Sequence, residues 1–266
     1  MAHTMNAGHG LDETAVDRLA VLDARAVREA RLDLAASFRM AARLGMGEGI
    51  CNHFSAMLPG SSEFFLVNAY GLAFDEITAG NLLVCDLHGH VVQGQGKPEA
   101  TAFYIHARVH MRHPRARAVF HTHMPNATAL CLVEGDPLLW AGQTALKFWG
   151  RVAVDEHYNG LALDESEGDR IAATLGDQDD IVFMKNHGVM VLGASIARAW
   201  DDLYYLERAA EAQRLAASMN RGIKPIAPDI AAKTAAQMMA EDPASARAHL
   251  DSVRRRLMRS EPEFSR

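Results

Sequence analysis

A single α/β or α+β domain with helical extensions at its ends is the fold that this sequence predicts, and three observations carry the prediction. At 266 residues the chain is long for one domain and short for two. Its middle alternates short apolar runs, bounded by Gly, Pro and Asn, with longer stretches of helical periodicity. Its composition, 49% hydrophobic and 23% charged, is that of an ordinary globular protein with enough apolar mass for a substantial core. The expected division is a flexible N-terminus over 1–14, one domain over 15–220 and a C-terminal helical extension over 221–266.

Residues from about Ala15 to Leu44 are rich in Ala, Leu and Arg and lack Gly and Pro, with Leu34, Phe38 and Ala41 at helical spacing, so one or two amphipathic helices are expected, closed by Gly45 and Gly47. The Gly49–Leu58 and Glu63–Asn68 stretches read as two strands around a Pro-Gly-Ser-Ser turn, hence an antiparallel pair. Asn52 and His53 sit at the entry to the first of these, where a capped turn explains His53 as well as a functional role does. Leu82–Asp86 is a further strand that turns through His88-Gly89-His90 into Val91-Val92. A Gly-rich loop from Gly94 to Pro98 leads to Glu99 at the start of a helix, where the helix dipole favours a carboxylate. After a strand ending near His123, Pro125 opens a short helix; Trp140–Tyr158 is irregular and aromatic. Asp164–Leu175 reads as a helix, Ile181–Met184 and Val189–Leu192 as strands around Lys185-Asn186-His187-Gly188, and Ser195 as the cap of a long helix to about Ser218. From Lys224 a Pro-containing linker and two Ala-rich helices are expected.

Composition also excludes functions. The net charge of −6 is spread along the chain without a basic stripe carrying interleaved aromatics, which excludes nucleic acid as the main partner; Arg254-Arg255-Arg256 reads as a solvated helix face. Cys51, Cys85 and Cys131 stand in apolar surroundings at no zinc-ribbon spacing, so buried free thiols in a reducing compartment are expected. The first ten residues hold no apolar signal core, and no stretch approaches the roughly 18 apolar residues of a membrane span, so no membrane partner and a cytoplasmic location are expected.

The chemistry centres on His121-Thr122-His123. An apolar run, Ala118-Val119-Phe120, leads into the pair, and residues two apart on a strand share a face. Two neutral imidazoles side by side fill a core poorly but make good ligands for a borderline transition metal. His88 and His90 repeat the spacing around a turn glycine among polar neighbours, where exposed turn residues are expected. His187, at a tip between two apolar strands, is a candidate third ligand.

Five motifs in order resemble the class II aldolase/adducin family over about Leu32–Ala216: Asn52-His53-Phe54-Ser55, Asn68-Ala69-Tyr70-Gly71-Leu72, Glu99 in its Gly-x-Pro-Glu loop, His121-Thr122-His123 and Asn186-His187-Gly188. The resemblance implies a three-layer α/β/α sandwich around a mostly antiparallel mixed sheet, assembled as a homotetramer with sites at subunit interfaces. It implies a divalent ion on His121, His123 and His187, with Glu99 beside it as ligand or acid/base. Zinc is the first choice, with manganese, cobalt or iron as alternatives. Asn52 and Gly71 fall at the family's anion-binding positions, Lys97 is a point-charge donor suited to a carboxylate, and Tyr158 is a candidate to enter a neighbouring subunit's site. The family's sugar-phosphate aldolases carry a Ser-Ser pair before the glutamate, where this chain has Lys97-Pro98, so a non-phosphorylated or carboxylate small molecule is the expected substrate. The implied activity is a metal-dependent carbon–carbon lyase, by retro-aldol cleavage through a metal-stabilised enolate. A decarboxylase of a hydroxylated aromatic or pyridine carboxylate, an iron-dependent oxygenase and a non-catalytic adducin-like scaffold are the alternatives. Cupin and metallo-β-lactamase readings of the His pair fail, because Glu134 comes too late for the first and Pro125-Asn126 replaces the Asp-His of the second.

Overall fold

The structure, a computed structural model, describes residues 13–162 and 164–266; most of the flexible terminus expected over 1–14 therefore lies outside the described residues. Helices α1 (Glu13–Ala20) and α2 (Ala24–Arg43) are separate. The side chain of Asp23 accepts from the N–H groups of Arg25 and Ala26 and so starts the second afresh. Gly45, at φ 66°, ends α2 in the left-handed conformation that glycine tolerates best.

Strands β1 (His53–Met57), β2 (Phe64–Val67), β3 (Leu83–Asp86) and β4 (Val91–Gln93) follow, then α3 (Ala100–Arg112), β5 (Ala118–Thr122) and α4 (Pro125–Cys131). The Trp140–Tyr158 stretch, irregular by sequence, contains α5 (Gln143–Leu146) and β6 (Val152–Asp155). Helix α6 (Glu165–Thr174), β7 (Ile181–Met184), β8 (Gly188–Gly193), α7 (Ile196–Ala217) and α8 (Pro228–Ser260) complete the chain apart from short 3-10 turns. The eight strands form one sheet in the order β4-β3-β2-β1-β5-β8-β7-β6, antiparallel throughout except for the β6–β7 pair.

Strand periodicity sorts side chains between two helical layers, giving the α/β/α sandwich. Phe54, Phe120, Val189 and Val191 point to one face and join the large core under α2, α7 and α8. Val119, Met190 and Leu192 point to the other, against Ile105 and Val109 of α3 and Ile171 of α6. His53, Ser55 and His121 occupy alternate positions on that second side, where three polar residues replace apolar filling beneath α3.

Three expectations are corrected. The tail is one helix of 33 residues, α8, with Pro243 inside it. A proline in a helix forfeits one hydrogen bond and costs about 3 kcal/mol or more, which packing offsets here: Ala246, Leu250, Val253 and Leu257 enter the core. Asp242, just before the proline, is buried against Lys147 Nζ at 2.5 Å and also pairs with Arg198. Of the three cysteines, Cys85 and Cys131 are buried and free as expected, but Cys51 is exposed, because it precedes β1 in the loop outside the sheet. Arg255 and Arg256 are solvated, whereas Arg254 crosses to Glu29 and Asp33 of α2. No helix among the described residues is long and apolar enough to cross a membrane.

Candidate metal centre

Strand β5 carries His121 at its buried end, and the chain then leaves the sheet through His123 and Met124 into α4, which Pro125 starts. The β7–β8 connection supplies His187. Asn186 turns that connection at φ 61°, a left-handed conformation to which asparagine is suited. Gly188 follows because nothing larger fits: a Cβ there would stand 2.7 Å from His123 Cδ2 and 3.1 Å from the Thr122 carbonyl oxygen. The outcome is a cluster in which one ligand atom each from His121, His123 and His187 lie within 4.8 Å of one another.

Hydrogen bonds decide which nitrogens face that point. His121 Nδ1–H donates to the Val189 carbonyl at 2.9 Å, and His123 Nδ1–H donates to the Glu48 carboxylate, so Nε2 is the nitrogen each ring has left to offer. His123 Nε2 is buried and has no hydrogen-bond partner among the described residues. Burial, reinforced by the neighbouring rings of His187, His53 and His123, holds the His121 imidazole well below its usual range. Burial also pushes His187 down to about 4, with His123 adding to the effect and Asp155 and Glu167 opposing it. Two imidazoles held uncharged by burial, beside a third with an orphaned, buried ring nitrogen, are a donor set that a divalent cation fits.

Around the cluster the structure places the other candidates at different distances. Glu99 is the N-cap of α3: its Oε2 accepts from Ala102 N–H at 2.8 Å and from the Thr101 hydroxyl, and lies 3.9 Å from His53 Nε2. Asn52 is buried, its Oδ1 accepting from the N–H groups of Glu48 and His123 while Nδ2 has no partner among the described residues. Gly71, at φ 94°, has open space over its Cα, and the Tyr70 N–H bonds to the Lys97 carbonyl at 2.9 Å, which ties the two loops together. Lys97 itself is exposed. Tyr158 is 51% exposed with its ring 6.2 Å from that of His187 in the same chain. A cavity of about 230 Å³ opens beside His123 and His187, walled by Thr101, Ile105, Tyr158 and Met184. His88 and His90 are exposed on the β3–β4 turn, His90 bonded to Asp86 at 2.8 Å.

Residues 32–214 match the class II aldolase and adducin N-terminal domain family. The chain belongs to that family. A Caulobacter vibrioides protein with a class 2 aldolase name is 36% identical over 204 residues, 76% of this chain and 78% of that one. Alpha-adducin of Rattus norvegicus is 30% identical over 187 residues, 69% of this chain but 25% of that protein. Among solved structures, an aldolase II superfamily protein of Pseudomonas syringae matches with a TM-score of 0.85 and 34% identity, over 94% of this chain and all of the other. An L-fuculose 1-phosphate aldolase of Glaciozyma antarctica PI12 matches at 0.78 and 25%, over 90% of this chain and 92% of the other.

Sequence reasoning passed over several residues that this class II aldolase fold brings to the cluster. Glu48 reads as a loop acid between Gly47 and Gly49, and only the fold sets it on His123 Nδ1. His53, left open by the sequence between a capped turn and a functional role, is the first residue of β1, cross-strand from His121 with ring centroids 5.0 Å apart, so the capped-turn reading fails. Its place in the Asn-His-x-Ser strand was the available signal. Asp155, at the end of the unforeseen β6, is buried in a bidentate pair with Arg170 at 2.6 and 2.8 Å, and Arg170 also holds the His157 carbonyl. That pair anchors the loop bearing Tyr158.

Proposed function

We propose that this member of the class II aldolase family is a metal-dependent carbon–carbon lyase that cleaves a small hydroxy-carbonyl compound by retro-aldol chemistry. The observation that carries the reading is the convergence of three imidazoles, one with a buried orphan nitrogen, beside a cavity. His121, His123 and His187 would hold the ion, zinc first among the candidates, with Glu48 fixing the ring of His123. A bound divalent ion supplies Lewis-acid stabilisation of the negative charge that develops on a carbonyl oxygen.

The rest of the chemistry belongs to side chains. Glu99 takes the proton from the substrate hydroxyl as the carbon–carbon bond breaks and returns it to carbon. Thr101 and the Ala102 N–H hold its carboxylate in one orientation. Asn52 Nδ2, a buried donor with nothing to bond, is the group that an anionic substrate oxygen satisfies, with Gly71 leaving room over the backbone and Lys97 adding charge from the rim. Tyr158 closes the cavity from the Asp155–Arg170-anchored loop. Its exposure, with that of Leu161 beside it, supports a homotetramer in which a neighbour covers this edge.

Decarboxylation of a hydroxylated carboxylate uses the same donor set and is the second reading, supported by the Lys97-Pro98 loop that stands where phosphate donors are expected. The similarity to alpha-adducin supports a scaffold, and the intact donor set argues against it. Metal analysis of protein purified without chelator, with parallel assays for aldehyde and CO₂ release, separates the readings. A metal-free protein that releases neither on zinc loading overturns the enzyme assignment.

A further inference from the structure

A row of buried polar side chains runs from the site along the underside of the sheet, and the mechanism above leaves it unused. His53 Nδ1 lies 2.9 Å from His106 Nε2, His106 Nδ1 2.6 Å from Ser55 Oγ, and Ser55 Oγ 2.8 Å from His110 Nε2. His110 Nδ1 ends the row 2.7 Å from the Ala116 carbonyl oxygen. None of the four side chains belongs to a residue more than 5% exposed. Four polar groups buried between β1 and α3, in place of apolar filling, need full hydrogen bonding to be tolerated.

The row can be satisfied in one direction only. A carbonyl oxygen accepts and never donates, so His110 carries its hydrogen on Nδ1 and is bare at Nε2. Ser55 therefore donates to His110 Nε2; its other acceptor, the Val119 carbonyl, is 3.5 Å away. The serine oxygen then accepts from His106 Nδ1–H. His106 is thereby bare at Nε2 and accepts from His53 Nδ1–H. His53 Nε2 is left bare, 3.9 Å from Glu99 Oε2. His53 and His106 are 2% and 0% exposed, and Glu99 Oε2 at 3.9 Å is outside hydrogen-bonding distance of His53 Nε2, so nothing there offsets a second hydrogen on either ring, while burial pushes His110 down to about 4.

Two acceptors facing each other repel until a hydrogen lies between them. We propose that His53 is a positioning residue for Glu99: fixed as its Nδ1–H tautomer by the row ending on the Ala116 carbonyl, it accepts a hydrogen bond from the Glu99 carboxyl group. The O–H so held is the one formed when Glu99 takes the hydroxyl proton of the substrate. The proton leaves again for carbon, so the row itself gains and loses nothing. The source of that proton rests on the retro-aldol reading, whereas the tautomer does not.

The test is side-chain nitrogen-15 NMR of the full chain, metal-free and zinc-loaded, with His53→Gln identifying the His53 signals. The expected result is a protonated Nδ1 and a bare Nε2 at His53. Ser55→Ala removes both the donor to His110 and the acceptor of His106. It should swing His53 towards Nε2–H and lower kcat roughly ten- to a hundredfold, with metal content and KM held. Ser55→Thr, which keeps the hydroxyl, should restore the His53 spectrum and kcat together. Wild-type His53 protonated at Nε2, or Ser55→Ala with an unchanged His53 spectrum or unchanged kcat, overturns the proposal; if Ser55→Ala does not fold, the wild-type spectrum decides. A wild type that shows Nδ1–H but releases no aldehyde sinks the reaction assigned above and leaves the tautomer lock standing. An active wild type with Nε2–H does the reverse.

Discussion

The chain carries the pattern His-x-His twice, and the two copies have opposite fates. At His88-Gly89-His90 the glycine, at φ 97°, turns the chain, and both imidazoles stand in solvent on a peripheral hairpin. At His121-Thr122-His123 the first ring lies inside the fifth strand of an eight-stranded sheet and the second just beyond it, with a third histidine brought over from β7–β8. Spacing alone is therefore silent about convergence. What distinguishes the second copy is a central strand with neighbours on both sides, so that rings leaving it meet rings from other parts of the chain.

The largest effect expected from breaking this contrast is at the cluster itself. His121→Ala or His187→Ala should abolish stoichiometric metal and lower turnover by more than the roughly 10- to 100-fold typical of an outer partner. The double change His88→Ala and His90→Ala should leave both quantities unaltered. Metal content by mass spectrometry with turnover on the same preparations decides it; metal retained without His187 removes that residue from the site. Next comes Glu99→Gln, which should keep the ion and lower turnover about a hundredfold or more. Because glutamine can still accept from Ala102 N–H, its melting temperature should barely move. Normal turnover in this variant reduces Glu99 to a helix cap.

Glu48→Gln and Gly188→Ala sharpen the comparison at the two residues that press on the ring of His123. Each should weaken zinc affinity by roughly 10- to 100-fold, the first by loosening the His123 tautomer and the second by displacing its ring. Competition titration against a chelator measures this, and unchanged affinity in both would show that His123 needs no support. A smaller effect concerns pH. His110 and His187 bind protons in the folded state only near pH 4, against about 6.5 unfolded. Between those values the unfolded chain holds the extra protons, so the metal-free protein should lose stability as pH falls from about 6.5 towards 4, and His110→Gln should flatten part of that loss. Thermal melts across this window give the slope; no pH dependence there contradicts the assignment. Smallest of all, the paired His88 and His90 changes should alter stability by no more than about 0.5 kcal/mol.

Local pattern was a good guide wherever a segment's own periodicity and caps settled its conformation. Asp164 and Ser195 start their helices as read from the sequence, through side-chain bonds to N–H groups two and three residues further on. Strand β6 escaped because it is four residues at a sheet edge, flanked by Trp149 and Tyr158, and is made a strand by parallel pairing with β7. Helix α8 escaped because Pro243 is a local stop signal, overridden by the pairing of Asp242 with Arg198 of α7 and the packing of Leu250 in the core.

The sequence by itself determined the donors, the faces and the order of elements: period two puts His53, Ser55 and Met57 on one side of β1 and Phe54 on the other. Which donors meet was decided by tertiary structure alone. Antiparallel register sets His53 opposite His121, the β7–β8 turn brings His187 to His123, and a loop 75 residues away delivers Glu48 to the same ring. The physical reason is that a side chain's direction follows from its own backbone, whereas its partners follow from which strands pair and in what register, a property fixed only when the whole sheet buries its two apolar faces at once.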